Sequence, residues 1–260
     1  MKTVLSIAGS DPSGGAGIQA DIKTITAHGL YAMSAITALT VQNTQGVSAV
    51  EAVPAALVAR QMDCVFTDIR PDAVKVGMLV NDEIIRAVAE RLAFYRAKNV
   101  VIDPVMVSTS GRRLLDERAV ALLRAELFPL ARIVTPNLPE AEALCGFPVR
   151  EKADMERAAR QLFEESGAAV LLKGGHLEGG ADDLLWDGAG ARWIAGERVA
   201  ASNTHGTGCT LSSSIACRLA QGASLFESAR HAKAYLTGAL QAGLDLGAGN
   251  GPLNHMYQMI

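Results

Sequence analysis

Short apolar runs alternate along this chain with longer stretches in which apolar residues recur every three or four positions. Val4 to Ala8, Ala32 to Val41, Ala73 to Gly77, Val100 to Asp103, Ile133 to Thr135 and Val170 to Lys173 are mostly aliphatic and bounded by Gly, Pro or Asp, a pattern that predicts buried strands. Between them, Ile18, Ile22 and Ile25 recur at helical spacing before Gly29, and Leu57, Met62, Val65, Phe66 and Ile69 mark one face of a second helix. Further helices are predicted over 82–98, 116–127, 139–144, 153–166, 209–221 and 225–244. Such alternation implies an α/β architecture: a mostly parallel sheet with helices on both faces, because parallel strands need crossovers and both faces need covering. The segment from Leu184 to Val199, carrying Trp186, Gly188, Gly190, Trp193 and Gly196, predicts a small antiparallel excursion at one edge. Ligands are then expected at the carboxyl ends of the strands.

Composition narrows the class. A chain of 260 residues with 49% apolar content, undivided by any Pro/Ser-rich linker or charge block, is expected to form a single domain over 1–260. A formal net charge of -3 gives no electrostatic footprint for nucleic acid or an anionic membrane, so small-molecule partners are expected. Cys64, Cys145, Cys209 and Cys217 show no close pairing, which argues against a disulfide framework and a zinc site. The apolar run within Met1 to Ala8 is too short for a secretory signal and no stretch approaches membrane-spanning length, so a cytoplasmic location is expected.

The candidate chemistry begins at Asn203-Thr-His-Gly-Thr-Gly-Cys-Thr210, a loop that runs into a predicted helix. Gly206 and Gly208 free the backbone so that successive N–H groups around Thr207 can converge where the helix dipole favours an anion. Cys209 falls in the first turn, where the dipole is expected to lower its thiol pKa. Lys173-Gly-Gly-His176 places an ammonium at a strand end with free access to a phosphate, and His176 receives no role. Asp103 and Glu140 follow adjacent strands; taken singly, a turn cap and a helix N-terminal carboxylate explain them better, but together beside the glycine loop they favour a shared hydrated magnesium ion. Gln42 offers donor and acceptor side by side, suited to a heterocycle with an amino group next to a ring nitrogen. Gly15-x-Gly17-x-x-Ala20 satisfies a loose dinucleotide fingerprint, but the next strand ends without the acidic residue such a site needs, and no P-loop is present.

Ala8-Gly-Ser-Asp-Pro-Ser-Gly-Gly-Ala-Gly-Ile-Gln-Ala-Asp21, Gln42-Asn-Thr, Gly77-Met-Leu, Asp103-Pro-Val, Thr135-Pro-Asn-Leu-Pro-Glu140, Lys173-Gly-Gly-His and His205-Gly-Thr-Gly-Cys-Thr210 occur in order across the chain. Together they resemble the hydroxymethylpyrimidine/phosphomethylpyrimidine kinases of thiamine biosynthesis, within the ribokinase-like superfamily. The resemblance implies a three-layer ribokinase-like fold and ATP-dependent phosphorylation of 4-amino-5-hydroxymethyl-2-methylpyrimidine, first to the monophosphate and then to the diphosphate. It implies that Gln42 pairs with the aminopyrimidine edge and that Gly9, Asp21, Met78 and Val105 line that pocket. Gly206, Thr207 and Gly208 become the anion hole, Cys209 the candidate base, Lys173 a catalytic and nucleotide-phosphate contact, and Thr204 a second nucleotide contact. Asp103 and Glu140 become the magnesium site, with potassium a further candidate cation and a homodimer the expected assembly. Three other readings compete: a pyridoxal or pyridoxine kinase on the same scaffold, a dinucleotide-dependent oxidoreductase, and a non-catalytic pyrimidine-binding protein.

Overall fold

The computed structural model describes residues 1–107, 115–175, 177 and 180–259. Its strands are β1 (Thr3–Ser10), β2 (Tyr31–Asn43), β3 (Gly46–Ala52), β4 (Ala73–Val76), β5 (Val100–Ile102), β6 (Ile133–Val134), β7 (Ala169–Leu172), β8 (Asp183–Trp186) and β9 (Ala191–Ile194). They form one sheet in the order β3-β2-β1-β4-β5-β6-β7-β8-β9. The centre from β2 to β7 is parallel, whereas β3, β8 and β9 pair antiparallel at the two edges.

The pleat decides which residues go where. Leu5, Ile7, Val74, Val76, Val100, Ile102, Val134, Val170 and Leu172 face one core, and Val4, Ala73, Val101, Ile133, Ala169 and Leu171 face the other. Both sets are buried, so the parallel strands read as unbroken aliphatic runs instead of alternating ones. The first core is closed by α2 (Ala55–Asp68), α3 (Asp82–Phe94), α4 (Glu117–Leu122), α5 (Leu138–Cys145) and α6 (Lys152–Ser166). The second is closed by α1 (Gly17–Ala27), α7 (Thr207–Ala220) and α8 (Leu225–Ala242). Some of the helices start where a side chain occupies a free amide: Asn81 Oδ1 accepts from Ile84 N at 3.0 Å before α3, and Asp116 Oδ1 from Ala119 N at 2.8 Å before α4.

Two expectations need correction. The antiparallel excursion occupies both edges of the sheet, because Gly46–Ala52 folds back on β2 as β3. That strand is an edge without a single buried residue, so its sequence carries little hydrophobic signal. The helix expected over 116–127 is α-helical only to Leu122, then widens into a π turn at Leu123–Leu127 and tightens into a 3₁₀ turn at Phe128–Leu130. Pro129, which has no N–H to give to an α turn, ends that run.

Candidate active site

The carboxyl ends of the parallel strands all deliver polar residues to one end of the sheet. Asp103 follows β5, and its Oδ1 accepts from Thr135 Oγ1 at 3.2 Å beyond β6 and from Lys173 Nζ at 2.8 Å beyond β7. Glu140, in the first turn of α5, places Oε2 at 3.8 Å from the same ammonium. The helix-end role is present as well: Glu140 and Asn137 form a reciprocal capping box, with Glu140 Oε2 accepting from Asn137 N at 2.8 Å. Glu140 therefore serves the helix start and the charge cluster with one carboxylate.

The glycine loop meets this cluster head on. α7 begins at Thr207 behind Gly206, whose φ of 84° lies in the left-handed region. At Gly208 a methyl group would sit 3.0 Å from Asp103 Oδ2 and 3.5 Å from Lys173 Nζ. Here the first turn of a helix comes close against a carboxylate and an ammonium, an approach open to glycine because it has no Cβ. Thr204, at the loop start, accepts from Thr207 N at 3.4 Å and is half-buried. Cys209 is half-buried beside Gly17, whose amide faces its sulfur.

The residues expected to bind the ring stand on or just beyond the neighbouring strands. Met78, beyond β4, packs its methyl over Gly9, where a side chain would meet Met78 Cε at 3.0 Å. Gln42, near the end of β2, and Val105, beyond β5, are half-buried. Gln42 Nε2 lies 2.9 Å from His205 Nε2, which ties it to the glycine loop.

Comparison with known proteins decides the family. The profile described as phosphomethylpyrimidine kinase matches residues 11–254. The chain belongs to the phosphomethylpyrimidine kinase family. It is 50% identical over 258 residues to the hydroxymethylpyrimidine/phosphomethylpyrimidine kinase of Rhizobium meliloti strain 1021, covering 98% of this chain and 97% of that protein. It is 51% identical over 255 residues to the thiamine biosynthesis bifunctional protein ThiED of Geobacter sulfurreducens, covering 98% of this chain but only 52% of that longer protein. An ADP complex of Bacillus subtilis pyridoxal kinase superposes with a TM-score of 0.92 at 35% identity, covering 100% of this chain and 99% of that one. The fold is thus ribokinase-like and the chain a phosphotransferase.

Within this kinase family site, the charges are strongly coupled. Burial works against an ammonium at Lys173, but Asp103 and Glu140 outweigh it and hold the group above the usual lysine range. Burial and the Asp103 charge push Glu140 above the usual carboxylate range, against the pull of Lys173. Two buried carboxylates here face a single ammonium. Magnesium needs only one or two protein carboxylates and takes its remaining ligands from water and phosphate, so Asp103 and Glu140 fit it.

Two expectations about the kinase site fail in this structure. The Cys209 thiol is not lowered but raised to about 11: burial dominates, the Asp21 and Asp103 charges add to it, and Lys75 with the Gly17 amide only partly offsets them. Asp21 has no exposed surface, so it does not line the pocket. Its carboxylate is filled by Ser6 Oγ at 2.5 Å, Lys75 Nζ at 2.8 Å and Ser213 Oγ at 2.8 Å. Lys75 is equally buried, and although burial opposes its charge, the Asp21 carboxylate foremost, with Asp103 contributing, holds it above the usual lysine range. This ion pair lies beneath the site and was recognisable in principle, because a lysine inside a four-residue buried strand needs a partner. Asp11 and the side chain of His205 are further residues that motif reading left without a role. His176 lies outside the described residues.

Proposed function

We propose that this chain phosphorylates 4-amino-5-hydroxymethyl-2-methylpyrimidine with ATP and then phosphorylates the monophosphate again, in thiamine biosynthesis. The observation that carries this reading is the meeting of Gly208, in the first turn of α7, with Asp103 and Lys173, which brings a helix N-terminus and an ammonium together at the strand ends. The names of the relatives supply the pyrimidine, and the ADP complex of a structural neighbour supplies the nucleotide. Magnesium, a homodimer and a cytoplasmic location belong to the same reading. Among the described residues, no helix is long and apolar enough to cross a membrane.

Gln42 binds the aminopyrimidine edge, with Gly9, Met78 and Val105 forming the walls, and directs the hydroxymethyl group toward the start of α7. The amides of Gly206, Thr207 and Gly208 hold the oxygens of the group in transit, Lys173 neutralises their charge, and Thr204 contacts the nucleotide phosphates. Magnesium, held by Asp103 and Glu140, would supply a second centre of charge neutralisation. Phosphoryl transfer passes through a loose transition state that asks chiefly for alignment and charge stabilisation. A thiol with a pKa of about 11 is protonated at neutral pH, so Cys209 does not pre-ionise the alcohol. Its S–H sits beside the hydroxyl, and the hydroxyl proton passes late, once the O–P bond is forming and the bond to the ADP oxygen is breaking, to an oxygen of the transferred phosphoryl group.

Incubation with the pyrimidine alcohol, ATP and magnesium should yield products heavier by one and by two phosphoryl units in the mass spectrum. The same assay on pyridoxal tests the second reading, which the Bacillus subtilis neighbour favours. Faster turnover of pyridoxal would replace the present proposal with that one.

A further inference from the structure

Asp11, Gln42 and His205 converge on one nitrogen atom. His205 Nε2 lies 2.8 Å from Asp11 Oδ2 and 2.9 Å from Gln42 Nε2. That nitrogen carries either a proton or a lone pair, so it cannot donate to Asp11 and accept from Gln42 at once. Asp11 decides between the two. Its carboxylate accepts from Ser13 N at 2.9 Å, Ser13 Oγ at 2.8 Å, Gly15 N at 3.1 Å and Ala16 N at 2.8 Å, the surroundings of an anion. An anionic Asp11 has only lone pairs to offer, so His205 Nε2 bears the hydrogen. Gln42 must then turn its carboxamide by half a rotation, so that Oε1 shares the single imidazole N–H with Asp11 in a three-centre hydrogen bond and the NH₂ group points away from the ring.

The imidazole has little freedom to give way. Its side chain is buried, it packs so closely over Gly15 that any side chain at 15 would run into the ring, and its backbone is pinned by donation to Gly251 O at 3.1 Å. We propose that His205, fixed by Asp11, is a specificity-determining positioning residue: it locks the carboxamide of Gln42 with its NH₂ facing the ring nitrogen of an aminopyrimidine. The second lone pair of Oε1 remains for the exocyclic amino group, so both halves of the heterocycle's edge are read in one orientation. This inference rests on the reading of Gln42 as the pyrimidine contact. It assigns the side chain of the histidine in the glycine loop a task at the acceptor substrate, apart from the backbone's task at the phosphoryl group.

Calorimetry of the full chain with hydroxymethylpyrimidine and with its analogue lacking the amino group tests the idea in a double-mutant cycle. His205→Phe is expected to weaken binding of the aminopyrimidine by about tenfold, one net hydrogen bond's worth, and of the deamino analogue by much less. His205→Gln, which can still donate an N–H to Asp11, should restore most of the loss, and thermal unfolding of both variants checks that the fold is kept. In a Gln42→Ala background His205→Phe should cost nothing further. Equal losses with and without Gln42, or equal losses for the two ligands, would overturn the role of His205 while leaving Gln42 in place. Unchanged affinity in Gln42→Ala alone would instead remove Gln42 from the pocket and overturn both readings together.

Discussion

Gly208→Ala separates the fold from the chemistry more cleanly than any other change in the glycine loop. Position 208 is the second residue of α7, and unlike Gly206 its backbone is not left-handed, so alanine fits the main chain there. Alanine favours a helix over glycine by about 1 kcal/mol. Against that gain, the new methyl would stand 3.0 Å from Asp103 Oδ2, a few tenths of an ångström too close, and 3.5 Å from Lys173 Nζ. Asp103 is buried, and its other oxygen is held by Thr135 and Lys173, so it can yield only slightly. The two effects roughly cancel, and the melting temperature should stay within about 4 °C, the shift that ~1 kcal/mol produces in a chain of this size. Catalysis has no such compensation, because the methyl fills the space in which phosphoryl oxygens must lie between the amides and the ammonium. Loss of one well-aimed donor in an anion hole costs about 10²–10³ in kcat, and displacement of the whole anion should cost at least as much. Steady-state kinetics alongside differential scanning calorimetry reads both quantities. A Gly208→Ala enzyme with wild-type kcat would refute the placement of the transferred group at this loop.

Cys209→Ala is expected to lower kcat by only about tenfold, less than the ~10²–10⁴ that loss of a general base costs, because the thiol is protonated at neutral pH; a larger loss in steady-state assays would restore Cys209 as the base. Lys75→Met should destabilise the fold by about 3–5 kcal/mol in urea titration by leaving the Asp21 carboxylate buried without its ion-pair partner, and adding Asp21→Asn should recover part of that loss. His255 is buried near the start of α7, and burial, aided by the Lys23 charge, lowers its pKa to about 4 from an unfolded value of 6.5. Its neutral form favours the folded state, so this contribution is complete above pH 6.5 and fades as pH falls to about 4, by roughly 3 kcal/mol in all. His255→Gln should therefore flatten the acid side of the stability profile measured by denaturant titration at several pH values, and an unchanged slope would show that His255 is not buried as a neutral ring.

Particular residues show what could be read before folding and what could not. The parallel strands announced themselves because both faces are buried, leaving aliphatic runs such as Val100 to Ile102 and Ala169 to Leu172 with no polar interruption. β3 stayed hidden because an edge strand needs only a partner for its backbone, and a ladder of amides leaves no mark on side-chain hydropathy. Asp103, Glu140, Lys173 and Gly208 were legible as strand-end and helix-start motifs, and the fold brings them together. The role of Asp21 was not legible, since whether a helical carboxylate faces a pocket or a buried lysine depends on how α1 is rotated against β1, β4 and α7. The ionisation of Cys209 was misjudged for a related reason. A helix terminus favours a thiolate, but the loss of water and two nearby carboxylates oppose it more strongly, and those neighbours come from distant parts of the chain. His205 carries its information in a contact with residues 194 and 163 positions away, beyond any local pattern.

The central claim is that the amides at the start of α7, together with Lys173 and a magnesium ion at Asp103 and Glu140, surround the phosphoryl group in flight. A crystal structure of the protein with ADP, magnesium, aluminium fluoride and hydroxymethylpyrimidine would test it most directly, because the planar fluoride mimics that group. The account predicts the fluoride within hydrogen-bonding distance of the amides of Thr207 and Gly208 and of Lys173 Nζ, with the pyrimidine hydroxymethyl oxygen in line opposite the ADP. Fluoride bound elsewhere, with Gly208 still closed against Asp103 and Lys173, would contradict it.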